Sequence, residues 1–281
     1  MKASRVVVLL AVLAAWVLLP CAGEAREWIK QGEEKFQFYG GAFFPAFDTS
    51  LRVDNKTLGE GTDVNLEDDL NFDESETTFY VSGYWRFASR HRVGVGFFRF
   101  SRDAGATLNE QIQIGDEIFP VGAGINSEFD FNIIPVNYAY SFMKREKFEL
   151  AGTVGLHWFN MTFKVKGNAS LGTEDLDAEV KAKADAPLPL LGLKFDYFFT
   201  PRWTAGVLAE AFYLSASSDT FSFSGSLFNF RLSTEYWIWN NVGVGGAINY
   251  FNLNVDVKDD EWRGEFDYNY WGPQIYMVVR F

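Results

Sequence analysis

Cysteine is all but missing. The single one, Cys21, lies in a segment, residues 1–25, with the marks of a cleavable export signal. Lys2 and Arg5 open it, Val6 to Leu19 is an unbroken apolar run, and Ala22-Gly23-Glu24-Ala25 supplies small residues for cleavage. Acylation of Cys21 is the alternative, opposed by Pro20 where such signals carry a small residue. Cleavage after Ala25 leaves no cysteine, which excludes a disulfide framework in the exported chain. Long apolar runs are also lacking. The run in the signal has 14 residues, short of the ~20 that span a bilayer as a helix, and no later stretch comes near that length. Positive charge is scarce as well: 25 Lys and Arg face 37 Asp and Glu, for a net charge of −12. Loss of Lys2, Arg5 and Glu24 moves this to −13, a balance that excludes nucleic acid as a partner. What the chain has in excess is rings: 29 Phe, 12 Tyr and 9 Trp, 18% of all residues. That is too apolar for a disordered chain. An exported protein without apolar helices but rich in rings at alternate positions is what a transmembrane barrel requires.

The last eight residues set the pattern. In Gln274 to Phe281, Ile275, Met277, Val279 and Phe281 fall on one face, and Gln274, Tyr276, Val278 and Arg280 on the other. This looks like the terminal strand of a bacterial outer-membrane β-barrel. The resemblance implies that Ile275, Met277, Val279 and Phe281 form the signal read by the outer-membrane assembly machinery.

Four short polar turns follow aromatic clusters: Ser89-Arg90-His91-Arg92, Lys144-Arg145-Glu146-Lys147, Thr200-Pro201-Arg202 and Asn240-Asn241. Three of them open onto strands that alternate with small residues, such as Val93-Gly94-Val95-Gly96 and Val242-Gly243-Val244-Gly245. This is a repeated hairpin unit. Counting from the turns predicts an all-β, antiparallel, up-and-down transmembrane β-barrel of ten strands, with eight or twelve as the alternative counts. Short turns face the periplasm and long hairpins the exterior. The strands are expected near 35–47, 76–88, 92–113, 118–143, 147–167, 187–199, 202–217, 221–239, 242–257 and 264–281. Residues 26–34 form a short periplasmic lead and 35–281 the barrel.

Period-two alternation puts Leu191, Leu193, Phe195, Tyr197 and Phe199 outward against Lys194 and Asp196. It puts Phe228, Phe230, Leu232, Tyr236 and Ile238 outward against Arg231, Ser233 and Glu235. Apolar faces thus point to lipid and polar faces to the lumen. Two features fit less well. The pattern slips at Phe97-Phe98, which calls for a bulge or an early exit from the bilayer. Pro45, Pro135, Pro189 and Pro273 also lie inside expected strands, where each removes a ladder donor.

The inward charges are the candidate site. Arg86, Glu149, Asp196, Glu235 and Arg280 are expected low in the lumen, and His157, Lys194, Glu210 and Arg231 near mid-height. They compose an ion-pair network that fills a narrow barrel; a gate or narrow pore is the second reading. No cofactor or metal is implied. The acidic segments Glu67-Asp68-Asp69, Asp73-Glu74, Glu174-Asp175, Asp177 and Asp259-Asp260-Glu261 have no calcium-loop spacing. They suit solvated faces, with divalent cations bridging to lipopolysaccharide phosphates as the sharper alternative. Lipid and lipopolysaccharide are the expected surroundings.

Leu66-Glu67-Asp68-Asp69-Leu70, then Gly83-Tyr84-Trp85-Arg86-Phe87 and Arg90-His91-Arg92-Val93, resembles a group of uncharacterised proteobacterial outer-membrane barrel proteins. The chain is similar, more loosely, to the small OmpA- and OmpW-type barrels. These resemblances imply fold and location, and no activity. The omptin proteases share the ten-strand plan but need an Asp-His pair high on the rim, where this chain has no histidine. Lipid A-modifying barrels need a His with a nearby Ser, a spacing that Leu156 to Asn160 does not offer. The expectation is a non-enzymatic barrel with a structural or surface-interaction role and a side-chain-filled lumen. The alternative is a narrow pore or a transport protein for small solutes or small apolar ligands. A lipid- or peptide-hydrolysing enzyme is the remote third.

Overall fold

The computed structural model describes residues 28–55, 61–114, 117–171, 174–218, 220–259 and 262–281. The export signal lies outside them. The strands are β1 (Phe36–Phe43), β2 (Ala46–Asn55), β3 (Asp63–Asn65), β4 (Thr78–Ala88), β5 (His91–Thr107), β6 (Ile112–Ile114), β7 (Glu117–Phe119), β8 (Gly124–Lys144), β9 (Phe148–Leu171), β10 (Glu174–Thr200), β11 (Trp203–Ser217), β12 (Phe221–Trp237), β13 (Val242–Asp259) and β14 (Trp262–Arg280). β1 and β2 are two halves of one wall strand, broken at Phe44-Pro45, and both pair with β14. The ring β1/β2-β4-β5-β8-β9-β10-β11-β12-β13-β14 therefore closes with ten antiparallel strands. That is the count the turns predict. Register shifts fall beside the short turns, between Arg86 and Ala88, Ser141 and Met143, and Phe198 and Thr200.

Several boundaries differ from the sequence reading. The first wall strand runs on to Asn55 instead of ending at 47. β9 and β10 continue to Leu171 and from Glu174, so Glu174, Asp175 and Asp177 belong to a tall hairpin and not to a loop. Alternating Lys181, Lys183 and Asp185 against Ala182 and Ala186 is still a strand, but one outside lipid. Thr107 ends β5, and β6 and β7 form a separate two-stranded hairpin whose Ile112, Ile114 and Phe119 are buried in the barrel mouth.

The wall has two zones with opposite polarity. From Trp271 to Phe281, Trp271, Ile275, Met277 and Phe281 are exposed on the outside while Gln274, Tyr276, Val278 and Arg280 are buried. Ten residues of tilted strand cover the ~25 Å apolar band of an outer-membrane barrel. Above Trp271 the assignment inverts: Asn269, Asp267 and Glu265 alternate with inward Tyr270, Tyr268 and Phe266. Each wall strand carries two consecutive large apolar residues at this level, and the strands that run on above it invert in the same way. They are Phe43-Phe44, Phe79-Tyr80, Phe97-Phe98, Ile133-Ile134, Trp158-Phe159, Leu190-Leu191, Phe212-Tyr213, Leu227-Phe228, Tyr250-Phe251 and Tyr270-Trp271. One member faces lipid and the other faces in. The cause is the change of surroundings: against acyl chains the apolar residues turn out, and in water they turn in.

This accounts for the slip at Phe97-Phe98. Alternation continues without a bulge, Phe98 turns in to stack on Tyr80, and Arg99 faces out above the apolar band beside Asp130. Polar ladders then run across the outside of the upper zone. Asn132 donates to Asn160 and Asn160 to Asp185, while Asn254 donates to Asp267 across β13 and β14.

The prolines mark places where the ladder is interrupted. Pro45 sits at the break between β1 and β2, opposite Gly272, and the neighbouring Pro273 carbonyl accepts from the Phe44 N–H. Pro135 lies across from Gly96 and Phe97, which have no β8 partner in the register. Pro187 and Pro189 end the β10–β11 pairing: it runs only from Leu191–Ala211 down to Thr200–Trp203. The Phe198 N–H reaches the Lys147 carbonyl on the β9 side, so odd-numbered residues aim their N–H toward β11. Both prolines stand on that edge and remove its donors. Above Leu191 the two strands part, leaving a seam in the wall.

Candidate functional site: the lumen

The floor is built from β4, β5, β9 and β10 together with the lead into β1. Arg86 donates two parallel bonds to Glu149, Nη1 to Oε1 at 2.8 Å and Nη2 to Oε2 at 3.0 Å. Its Nη2 also reaches Glu34 Oε1 at 3.1 Å. Such fork-on-fork pairs hold a buried guanidinium in one orientation. Ser141 donates to the same Glu149. Arg92 bridges onward, 3.8 Å from Glu149 and 3.6 Å from Asp196, and Lys194 Nζ lies 3.2 Å from Asp196.

The lead folds back to cap this end. The Ile29 N–H donates to Asn240 Oδ1, Gln31 Nε2 to the Pro201 carbonyl, and the Arg202 guanidinium lies 4.5 Å from the Trp28 ring centre. Gly32 turns with φ of +77°, and a Cβ there would stand 3.1 Å from Glu149 Oε2. Arg280 is wholly buried, its guanidinium 3.9 Å over the Trp237 ring, and donates to the Asn240 carbonyl and Gln31 Oε1.

The roof is a cluster of rings: Phe43, Phe47, Phe100, Phe129, Phe131, Phe251, Tyr268 and Tyr270 are all buried inside the upper zone. Phe131 and Tyr268 meet edge to face at 4.7 Å, and Phe251 stacks on Tyr270 at 4.8 Å. Arg102 is, among the described residues, the one cation inside this cluster. It donates to Thr49 Oγ1 at 3.0 Å, pairs with Glu67 and lies over the Phe47 ring. Glu67 is therefore a buried partner and not part of a solvated acidic face. Among the described residues no group of three or more His, Cys, Asp or Glu side chains is placed to hold a metal ion; Asp260 and Glu261 lie outside them.

Between floor and roof is a chamber of about 170 Å³. Glu210 is fixed on its wall, accepting from Thr153 Oγ1 at 3.3 Å and Asn229 Nδ2 at 3.0 Å, with His157 Nε2 at 4.0 Å. Arg231 lies over the Tyr276 ring at 5.1 Å and reaches Tyr39 at 6.0 Å. Glu235 is held by Gln37 Nε2 at 3.1 Å.

The inward charges named from the sequence thus do not form one chain of ion pairs. Arg86 and Glu149 make the floor, Lys194 and Asp196 join it through Arg92, and Glu210 meets only His157. Arg231, Glu235 and Arg280 have no ion-pair partner within 4.0 Å among the described residues. Arg92 and His91 belong to β5, not to the turn. Arg92 could have been found by parity, since Val93 and Val95 face out. Glu34 precedes the first strand and carries no periodic signal. No hydroxyl nucleophile is hydrogen-bonded to His157 among the described residues, and His91 Nδ1 meets Tyr138 Oη at the periplasmic end.

No protein family and no curated protein matches the sequence. Among solved structures, the chain is similar to the outer membrane protease OmpT from Escherichia coli, at 10% identity and a TM-score of 0.52 over 92% of this chain and 99% of that one. The Pseudomonas putida toluene transporter TodX aligns at 10% identity and TM-score 0.36, covering 88% of this chain and 90% of that one. OprG from Pseudomonas aeruginosa aligns at 11% and 0.36, covering 88% and 97%. Ten closed strands, a ring-rich apolar outer belt and the overlay on OmpT give this chain the fold of an outer-membrane β-barrel.

Proposed function

We propose that this chain is a non-enzymatic integral outer-membrane barrel with a sealed lumen, which holds a rigid β-structured head above the outer leaflet for contacts at the cell surface. The observation that carries this reading is the inversion at the ten apolar pairs. It places a dry ring-filled core across the lumen where the wall leaves the lipid. A buried ring contributes about 2 kcal/mol, so turning three of them into water to open a path costs about 6 kcal/mol. A path that expensive is rarely open.

The surroundings of such a head are lipopolysaccharide, and the polar ladders and the exposed carboxylates near Asp185 and Asp267 suit its hydroxyls and cation-bridged phosphates. In the same reading the outward Ile275, Met277, Val279 and Phe281 are the side chains that the assembly machinery meets. Planar-bilayer recording of the purified barrel at neutral pH is the test. A silent bilayer is the expected result, and steady single-channel steps would overturn the sealed lumen.

A further inference from the structure

The chamber is bedded on one side by Gly94, Gly96, Phe98, Ile133 and Pro135, with Tyr270 above them. On the other side stand Arg231, Lys194, His157 and Glu210. Its hydrogen-bonding capacity is lopsided. Both Glu210 oxygens accept bonds, from Thr153 and Asn229, and Glu235 accepts from Gln37. Lys194 has Asp196.

In contrast, Nε and Nη2 of Arg231, and Nε and Nη2 of Arg92, are buried without a hydrogen-bond partner. Guanidinium nitrogens can only donate, and a buried donor left unmet costs about 1–3 kcal/mol. These guanidinium donors lack an acceptor, and His157 Nδ1 beside the chamber is likewise buried without a partner. The Arg231 guanidinium lies beside the edge-to-face pair of Tyr276 and Tyr39, 5.1 and 6.0 Å from their ring centres, and its fork suits a planar oxyanion. Its volume exceeds the ~150 Å³ of an apolar cavity that takes up benzene, so one ring or a short alkyl chain fits beside the charged wall.

We propose that the chamber is a binding site for one small apolar-bodied carboxylate, its acid group on Arg231 and its body against Phe98, Ile133 and Pro135. The proposal goes beyond the sealed-lumen reading and stands or falls separately, because binding is read at equilibrium and not as current.

Benzoate is the probe, titrated by calorimetry into the detergent-solubilised full chain. One site per barrel is expected, with acetate, which has the acid but no body, and benzyl alcohol, which has the body but no acid, each at least tenfold weaker. Arg231→Met should weaken benzoate at least tenfold while acetate stays weak. If that variant fails to fold, the wild-type comparison of benzoate with benzyl alcohol decides alone. No benzoate heat up to millimolar concentration, equal affinity for benzyl alcohol, or full benzoate affinity in folded Arg231→Met would each overturn the proposal.

Discussion

At the scale of single residues, the floor depends on one backbone conformation. Gly32 sits at φ +77° with Glu149 and the Phe198 ring 3.1 and 3.4 Å from where a Cβ would go. An L-residue pays about 1–2 kcal/mol for that region, and the added carbon would also push on the carboxylate that Arg86 grips. Gly32→Ala should lower the thermal unfolding midpoint of the barrel, whereas Gly40→Ala, where a Cβ meets nothing within 4 Å, should move it much less.

Asp54 supplies a titration at the outer rim. Burial alone would raise its pKa, but Arg52, the Gly61 N–H and Arg263 together hold it below the usual aspartate value. A depressed carboxylate stabilises the folded form above its unfolded pKa of about 3.9 and ceases to do so as pH falls through the lower folded value. The side chains are partly exposed, so the effect is less than about 1 kcal/mol. Hydrogen exchange of the peptide around Gly61, corrected for intrinsic rate, should lose protection below pH 4 and be insensitive to pH there in Asp54→Asn.

At the scale of elements, the seam between β10 and β11 is the weak line of the wall. Pro187 and Pro189 strip donors from the edge, and Glu179, Lys181, Lys183 and Asp185 present N–H groups on the same edge with no β11 partner in the register. Charged and proline residues on such an edge also discourage pairing with another chain. The amides of Glu179, Lys181, Lys183 and Asp185 should exchange at least tenfold faster than those of Leu191, Leu193 and Phe195 on the same edge. Equal protection would mean that β11 pairs along the whole of β10.

The strands were legible in the sequence where lipid made the alternation loud. Turns at Ser89, Lys144, Pro201 and Asn240 gave the count, and the faces of β10, β12 and β14 came out as read. The upper zone was harder. There the inward residues carry the rings and the outward ones are Asn, Asp and Lys, so a strand pattern of the opposite sign resembled a loop. Phe97-Phe98 held the missing information, since a doublet that breaks the period in one strand is noise, while the same doublet in ten strands is a boundary. Arg92 was hidden by its nearness to a turn, and Glu34 by having no strand around it. The missing ion pair between Arg231 and Glu235, four residues apart on one face, could not be read at all, because spacing fixes a side chain's face and not where its end reaches.

At the scale of the whole molecule, a membrane-facing lower half and a water-facing upper half are built on one ring of ten strands. The interior charges are distributed to match. The floor pairs Arg86, Arg92 and Lys194 with Glu34, Glu149 and Asp196, while Arg231, Glu235 and Arg280 in the same half have no ion-pair partner among the described residues. The roof is built of rings around Arg102 and its partners Glu67 and Thr49. The ring-filled roof offers no continuous polar path among the described residues, which is why silence is the expected outcome of the conductance measurement.

The ring of apolar doublets also fixes how deep the protein sits. Sliding it one way would drag Arg99, Asn132, Asn160, Asn252 and Asn269 toward hydrocarbon, and sliding it the other way would lift Phe79, Phe97, Trp158 and Trp271 into water. Vertical adjustment, the usual answer of a spanning protein to a bilayer of the wrong thickness, is closed to it. The lipid must do the adjusting, thinning or stretching around the molecule at a cost of fractions of a kcal/mol per Å of mismatch.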